Sequence, residues 1–86
     1  MAMLLIDIGN TRIKWARFDK GRLGARRAAT HAGWRVEAYE RRVIGAARGV
    51  TRVLVASVAG KKVDRALGQA ARRAGIKPAF STWRTQ

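Results

Sequence analysis

The residues best suited to chemistry lie in one short segment that follows an apolar run near the start of the chain. They are Asp7, Ile8, Gly9, Asn10, Thr11, Arg12 and Lys14. A tight turn exposes successive backbone N–H groups on one side, and such groups form a concave site for anions. Glycine lets the backbone come close to a phosphate, and asparagine and threonine side chains add donors. The segment therefore suits phosphate binding, while a plain hairpin turn held by its own side chains is the alternative interpretation.

Two charged side chains beside the predicted turn fit the same chemistry. Asp7 is suited to hold a Mg²⁺ ion, directly or through water, because Mg²⁺ prefers carboxylate and phosphate oxygens. Lys14 lies three residues beyond Thr11, and its long side chain can reach phosphate charge. The segment therefore offers both a metal ligand and a cation near the predicted anion site.

The elements around this segment begin with predicted strands. An apolar run at residues 3–8 and the alternating pattern after residue 10 predict two strands joined by a turn at Gly9-Asn10, where both residues tolerate positive φ. A second turn at residues 19–21 leads into a third predicted strand at residues 22–31. The first third of the chain is therefore expected to form an antiparallel meander.

The pattern then changes to helical spacing. Apolar residues three and four apart predict an amphipathic helix from Trp34 to Arg48, ended by Gly49. A continuous apolar run at residues 53–58 predicts a buried parallel strand. A second helix over residues 61–74 and a last strand over residues 76–80 follow. The helix positions expected to be buried are Val36, Tyr39, Val43, Ala47, Val50, Val63, Ala66, Leu67, Ala70 and Ala74.

The order βββαβα(β) predicts an α/β fold in which helices cover a mixed sheet. Residues 1–86 are expected to form a single domain that is incomplete. Alanine supplies 16 of the hydrophobic residues and adds little buried area, so large core formers are few. We therefore expect a larger protein to cover one face of the unit, and the isolated chain to be poorly stable or to self-associate.

Composition narrows the function classes. Nineteen basic and five acidic residues give a net charge of +14, which favours phosphates, nucleic acid or anionic membranes. The absence of cysteine excludes disulfides, thiolate metal sites and cysteine nucleophiles, and the single histidine, His31, excludes a histidine metal cluster. Neither a secretory signal nor a membrane span is visible in the sequence. A cytoplasmic location is the resulting expectation.

The stretch MLLIDIGNTRIKWARFDKGRLG at residues 3–24 resembles the opening of type III pantothenate kinases. Their first phosphate motif has the form Asp-x-Gly-Asn-Ser/Thr, which Asp7, Gly9, Asn10 and Thr11 match. The run at residues 55–58 is similar to a strand-ending Ser-Val segment of the same family. The predicted element order also resembles the N-terminal half of the actin-like ATPase (ribonuclease H-like) fold that acetate and sugar kinases, Hsp70 and actin share.

The resemblance implies ATP-dependent phosphorylation of pantothenate, the first step of coenzyme A biosynthesis. It implies ATP, Mg²⁺ and a monovalent cation (K⁺ or NH₄⁺) as cofactors, and a homodimer when full length. Asp7 would then serve the metal–phosphate environment, and Gly9, Asn10 and Thr11 would line the phosphate loop. Phosphoryl transfer depends mainly on positioning and charge stabilisation, so such a loop is a plausible component.

Three parts of the family pattern are missing from these 86 residues. They are a Gly-x-Asp-Arg segment that carries the catalytic base and contacts pantothenate, a second phosphate motif of the form Asp-x-Gly-Thr, and the adenosine-binding region. No catalytic residue is therefore assigned in this chain. We expect the chain to be the first part of a longer protein, and the fragment alone to be inactive.

The remaining acids are predicted to be structural. Asp64 lies early in a predicted helix, where a carboxylate is stabilised by the positive end of the helix dipole. Glu37 and Glu40 are one turn apart, with Arg41 and Arg42 beside them. A solvated, ion-paired face is the prediction for these four residues, in preference to a pair of catalytic carboxylates.

Other residues that often carry chemistry are predicted to be structural as well. His31 has no second histidine or cysteine with which to bind a metal, and Ser57 has no histidine nearby in sequence to activate it, so strand-end hydrogen bonding is expected of it. Packing is the prediction for the three tryptophans, Trp15, Trp34 and Trp83.

Two other classes of function stay open. A basic nucleic-acid-binding module is favoured by the charge and by the pairs Arg26-Arg27, Arg41-Arg42 and Arg72-Arg73. The basic residues are nevertheless scattered, and no zinc-finger, KH or RRM signature is present, so only non-specific binding to nucleic acid is expected. The third possibility is a non-catalytic remnant of an enzyme.

Overall fold

The computed structural model describes residues 2–45 and 49–81. It contains a six-stranded mixed sheet with helices against one face. Its elements, in chain order, are β1 (Ala2–Ile8), β2 (Arg12–Asp19), β3 (Arg22–Leu23), β4 (Arg27–Thr30), α1 (Val36–Tyr39) with a π-helical continuation (Glu40–Ile44), β5 (Val50–Ser57), α2 (Lys61–Arg73) and β6 (Lys77–Ser81). The predicted α/β class and the predicted element order are confirmed.

The sheet has the strand order β3-β2-β1-β5-β6, and β4 also pairs with β2. β1 and β2 are antiparallel, whereas β5 lies parallel to both β1 and β6. The parallel β5–β6 pair is joined by α2, the crossover connection that parallel neighbours require. The meander expected at the start of the chain is therefore present, followed by a parallel half.

Alternating side chains explain why the helices lie on one face only. Leu4, Ile6 and Ile8 of β1 are buried together with Val53 and Val55 of β5. These five residues share one face because side chains two positions apart point the same way along a strand. The helical residues that complete this core are Tyr39, Val43, Ile44, Leu67, Ala70 and Ala71.

The opposite face of the sheet, here called the open face, carries accessible apolar residues. Leu5 lies on it between Ala16 of β2 and Leu54 of β5, and Leu54 keeps 41% of its surface exposed. Phe18 and Leu23 pair on the same side and remain exposed. This face has the composition of a sheet surface that another layer normally covers.

The predicted turn at Gly9-Asn10 is present between β1 and β2. Neither residue has a positive φ, whereas Lys20 and Gly21 in the second turn have φ of 54° and 76°. A two-residue hairpin turn of type I′ requires positive φ at both central residues, and at the first turn these are Asn10 and Thr11. Threonine is β-branched and avoids that region. The turn therefore does not use the positive φ that Gly9 and Asn10 tolerate.

Several predicted boundaries also differ. The third strand is divided into β3 and β4, and the pairing with β2 shifts by one residue between them, from Phe18↔Leu23 to Trp15↔Arg27. Val50 belongs to β5, not to the first helix, and Ala74 is exposed beyond the end of α2. The last turn predicted for the first helix, residues 46–48, lies outside the described residues, as does Trp83. Within the described ranges, no helix is long and apolar enough to cross a bilayer.

Candidate functional site

The predicted phosphate segment lies at the edge of the sheet where the parallel strands end. Ile8 pairs with Ser57 in the register of β1 and β5, and the Val58 N–H donates to the Ile8 carbonyl (3.0 Å). α2 begins at the same edge, after Gly60. In open α/β sheets, ligands bind beyond the carboxyl ends of the strands. The fold therefore places the turn of Gly9, Asn10 and Thr11 where such sites occur.

The turn presents backbone donors to solvent. The Gly9 N–H closes the hairpin by donating to the Arg12 carbonyl (2.8 Å). Asn10, Thr11 and Arg12 are exposed, and within residues 2–45 and 49–81 the N–H groups of Asn10 and Thr11 have no backbone or side-chain acceptor. Adjacent N–H groups without acceptors are the donors that an anion-binding concavity needs.

Ile8 contributes to the site through its backbone. Its side chain has no exposed surface and belongs to the core, as does the side chain of Ile13, which faces it across the hairpin. Burying this pair anchors both ends of the turn to the rigid part of the sheet. Of the predicted site residues, Ile8 is the one whose side chain cannot reach a ligand at the surface.

Asp7 and Lys14 face each other across β1 and β2, and both are exposed. They lie on the open face, one residue away from the buried Ile8–Ile13 pair on either strand. A concave region of about 860 Å³ borders them there, with Arg26 and Arg27 on its rim. A negative and a positive side chain are therefore available beside the turn. Asp7 is close enough to the turn in sequence for both to contact the same ligand.

Asp7 fits a Mg²⁺ site in which phosphate oxygens and water supply most of the ligands. In the part of the chain that the structure describes, no group of three or more His, Cys, Asp or Glu residues is placed to hold a metal by itself. Mg²⁺ is commonly bound by one or two carboxylates, with phosphate oxygens and water completing its shell. Asp7 suits that arrangement, in which the metal arrives with a phosphate ligand.

His31 holds the turn, a role that the sequence analysis missed. Its side chain is buried, with Nε2 2.9 Å from the Gly9 carbonyl oxygen and Nδ1 2.8 Å from the Tyr39 hydroxyl. Its backbone N–H donates to the Thr11 carbonyl (3.0 Å). The contact with Gly9 spans 22 residues, so no local pattern could have revealed it. The prediction that His31 is no metal ligand is unaffected.

An aromatic cluster supports His31 from the helical side. The Trp34 and Tyr39 rings meet edge to face with centroids 5.2 Å apart, and His31 lies 6.4 Å from Trp34 and 6.0 Å from Tyr39. The guanidinium of Arg42 sits over the Trp34 ring at 5.5 Å. Trp15 also packs against the core, so the packing role predicted for these two tryptophans is confirmed.

The ion-paired face predicted for Glu37 and Glu40 is present, but the arginine that pairs with them is a different one. Glu37 and Glu40 each lie 3.5 Å from Arg73 of α2, not beside Arg41 or Arg42 as expected. A backbone hydrogen bond, followed by the Arg73 interaction, lowers the pKa of Glu37. These exposed pairs contribute little to stability. They link α1 and its π-helical continuation to α2.

Asp64 and Ser57 both serve the ends of elements. Asp64 occupies the first turn of α2, where a carboxylate complements the helix dipole, as predicted. Its Oδ1 is buried without a hydrogen-bond partner among the described residues. The Ser57 hydroxyl accepts the Ala59 N–H (3.2 Å), which confirms strand-end hydrogen bonding.

Comparison of the coordinates with solved structures identifies the fold. A structure of the Aquifex aeolicus PPX-GPPA enzyme matches 94% of the chain with a TM-score of 0.50 and 17% identity, and the match spans 36% of that protein. The type II variant of the Aquifex aeolicus Ppx/GppA phosphatase matches the same share with a TM-score of 0.53 and 15% identity, over 35% of its length. At these identities the likeness shows the actin-like, ribonuclease H-like fold alone.

Sequence comparison identifies the family. The type III pantothenate kinase of Nitrosococcus oceani is 40% identical over 67 residues, which is 78% of this chain. The matched region is 25% of that kinase, so the chain spans about a quarter of the curated relative's length. The family model for type III pantothenate kinase matches residues 3–85. With the predicted motif at the carboxyl edge of the expected fold, the chain belongs to the type III pantothenate kinase family.

Proposed function

We propose that this chain supplies the first phosphate-binding loop of an enzyme that uses ATP to phosphorylate pantothenate, the first step of coenzyme A biosynthesis. The observation that carries the proposal is the turn at the carboxyl edge of β1, where the Asn10 and Thr11 N–H groups face solvent beside Asp7 and Lys14. Membership of the type III pantothenate kinase family is the basis for naming pantothenate as the acceptor.

The work of the loop is to position phosphate and balance its charge. Phosphoryl transfer needs little covalent help from the protein, so placement of donors and cations accounts for most of the rate. The Asn10 and Thr11 N–H groups bind phosphate oxygens, and Arg12 and Lys14 add positive charge. Asp7 would hold Mg²⁺, and the ion would supply positive charge against the phosphates.

The general base is expected from another part of the longer family chain. Asp19 pairs with Arg17 (3.7 Å) at the far end of β2, and Glu37 and Glu40 pair with Arg73. Asp64 lies in the first turn of α2. Asp19, Glu37 and Glu40 are thus held in ion pairs with arginine, and no acid of this chain is assigned as the base. The homodimer and the monovalent cation stay predictions that follow from family membership.

The proposal is tested by Mg²⁺-dependent ATP binding to two variants, Asp7→Asn and Asn10→Ala. Asp7→Asn removes the metal ligand at nearly constant size, so ATP affinity is expected to lose its dependence on Mg²⁺. Asn10→Ala removes a side-chain donor and is expected to weaken ATP binding about tenfold, the cost of a hydrogen bond to a charged group. The matched control is Asp19→Asn, an aspartate on β2 away from the turn. Unchanged binding in both test variants would remove the basis of the loop assignment.

The charge of +14 supports non-specific nucleic-acid binding as a second property. The three arginine pairs are exposed but lie on separate elements, at β4, the π-helical turn and the end of α2. Phosphate-backbone binding of this kind should collapse as salt rises. A salt titration separates the two properties, because ATP–Mg²⁺ binding should persist and should require Asp7.

A further inference from the structure

We infer that His31 is the positioning residue of the phosphate-binding turn, and that it fixes the direction of the Asn10 N–H through the Gly9 carbonyl. This inference rests on the proposed function, because it assigns a role within the same loop. Three hydrogen bonds carry it: His31 Nε2 to the Gly9 oxygen, His31 N–H to the Thr11 oxygen, and His31 Nδ1 to the Tyr39 hydroxyl.

The first step is the geometry of the Gly9–Asn10 peptide. A trans peptide is planar, so its C=O and N–H bonds point in opposite directions. No cis peptide bond occurs among the described residues. Because the Gly9 carbonyl points at the buried His31 ring, the Asn10 N–H must point away from it. One buried contact therefore sets the direction of an exposed donor.

The second step is the chemistry of the ring. A carbonyl oxygen only accepts hydrogen bonds, so the contact with Gly9 requires the proton to be on Nε2. In the neutral ring Nδ1 is then an acceptor, and the Tyr39 hydroxyl donates to it. Both ring nitrogens are thus occupied, which fixes the tautomer and the rotation of the imidazole.

The third step is the origin of the rigidity. Tyr39 is 1% exposed, and its ring packs edge to face against Trp34. The side chain therefore has a fixed position in the core. His31 transmits that position to the turn at two places, the Gly9 and Thr11 carbonyls, which enclose the Asn10 and Thr11 N–H groups. A donor held in place binds an anion more tightly, because less conformational freedom is lost on binding.

The experiment exploits the single histidine of the sequence. Long-range ¹H–¹⁵N spectra of the whole chain report the tautomer of His31 alone, and the residual dipolar coupling of the Asn10 N–H reports its direction. Calorimetry with Mg²⁺-ATP reports affinity. The variants are His31→Leu, which removes both ring bonds; His31→Gln, whose amide keeps a donor for Gly9; and Tyr39→Phe, which removes only the hydroxyl. The matched control is Ile44→Val, a core change that does not touch the turn.

The expected spectrum of the unchanged chain shows the proton on Nε2. His31→Leu is expected to alter the Asn10 coupling and to weaken Mg²⁺-ATP binding about tenfold, Tyr39→Phe about threefold, and His31→Gln less than His31→Leu. Ile44→Val should leave both quantities unchanged. Should His31→Leu fail to fold, Tyr39→Phe decides, because it retains the packing and the contact with Gly9.

Two results would overturn the inference: a proton on Nδ1 with Nε2 bare, or folded variants with the coupling and affinity of the unchanged chain. The proposed function fails separately. If the unchanged chain binds no Mg²⁺-ATP but the Asn10 coupling moves in His31→Leu, His31 positions the turn and the turn is no phosphate loop. If Asp7→Asn abolishes Mg²⁺ dependence while the His31 variants bind normally, the loop assignment stands and the role of His31 is wrong.

Discussion

Replacing Gly9 with alanine should weaken Mg²⁺-ATP binding at the candidate site without destabilising the fold. A methyl group built on Gly9 would lie 3.5 Å from the Arg12 carbonyl oxygen, an ordinary contact, and Gly9 does not have positive φ. Alanine therefore fits the backbone, and its smaller unfolded-state entropy should stabilise the chain by about 0.4–1 kcal/mol. Binding of Mg²⁺-ATP should nevertheless weaken, because the methyl group occupies space near the predicted phosphate.

Gly75→Ala is the matched control for this variant. Gly75 follows α2 with φ of 76°, and no heavy atom lies within 4 Å of a Cβ built there. The Gly75→Ala substitution should therefore lower the free energy of unfolding through backbone strain alone, by about 1–2 kcal/mol for an alanine in the left-handed conformation. For a domain of this size, 1 kcal/mol corresponds to a shift of about 4–8 °C in Tm. Gly75→Ala should therefore melt earlier but bind Mg²⁺-ATP normally.

Thermal melts followed by circular dichroism, with calorimetry on the same samples, check both expectations. A Gly9→Ala melt as low as that of Gly75→Ala would refute the turn geometry. Normal Mg²⁺-ATP affinity in a stable Gly9→Ala chain would refute close approach of a phosphate to this part of the backbone.

Three further predictions concern the core and the open face. Burial raises the pKa of Tyr39, the only tyrosine, above 10.0; the neutral side chain stabilises the fold below that pH, and stability should fall as pH rises through the folded-state value. Absorbance at 295 nm should therefore show tyrosinate at a higher pH in the folded chain than in guanidinium, and equal midpoints would contradict this. Gly45→Ala would place a Cβ 2.9 Å from the Glu40 carbonyl oxygen, so the π-helical turn must shift, at about 1–3 kcal/mol of unfolding free energy. Leu54→Ser should reduce self-association with little change in Tm, since Leu54 is 41% exposed; sedimentation that shows a monomer before the substitution would remove the premise.

Strands and helices were predictable wherever hydrophobic periodicity was strong. The α2 stripe around Leu67 gave the correct type, because burial on one helix face imposes a period that the sequence must carry. The continuous apolar runs of β1 and β5 also gave the correct type, but the expectation that the second run is buried throughout was wrong, since Leu54 and Val58 are exposed. The first helix was harder. Its α-helical part has only four residues before the π-helical turn, and a π-turn leaves no distinct periodic signal. The division of the third strand coincides with a one-residue shift in its pairing with β2, which the sequence does not display.

The candidate site was predictable in part for the same reason. Asp7, Gly9, Asn10 and Thr11 form a contiguous motif, so a local pattern could reveal them, and the fold places them at the edge where ligands bind. His31 could not be found in this way. Its residue type fits many structural roles, and its two ring partners lie 22 residues before it and eight residues after it. Only the fold brings these three positions together.

The position of His31 also links the stability of the core to the shape of the turn. A donor at the surface of a hairpin usually depends on local turn chemistry, which tolerates change elsewhere in the protein. Here the Gly9 carbonyl is held by a ring whose other nitrogen is bonded to a buried tyrosine. A core change that moves Tyr39 must therefore move the ring or break one of the two bonds. Because the Asn10 N–H is coupled to that carbonyl by peptide planarity, a core change that displaces Tyr39 should alter the turn before it unfolds the sheet.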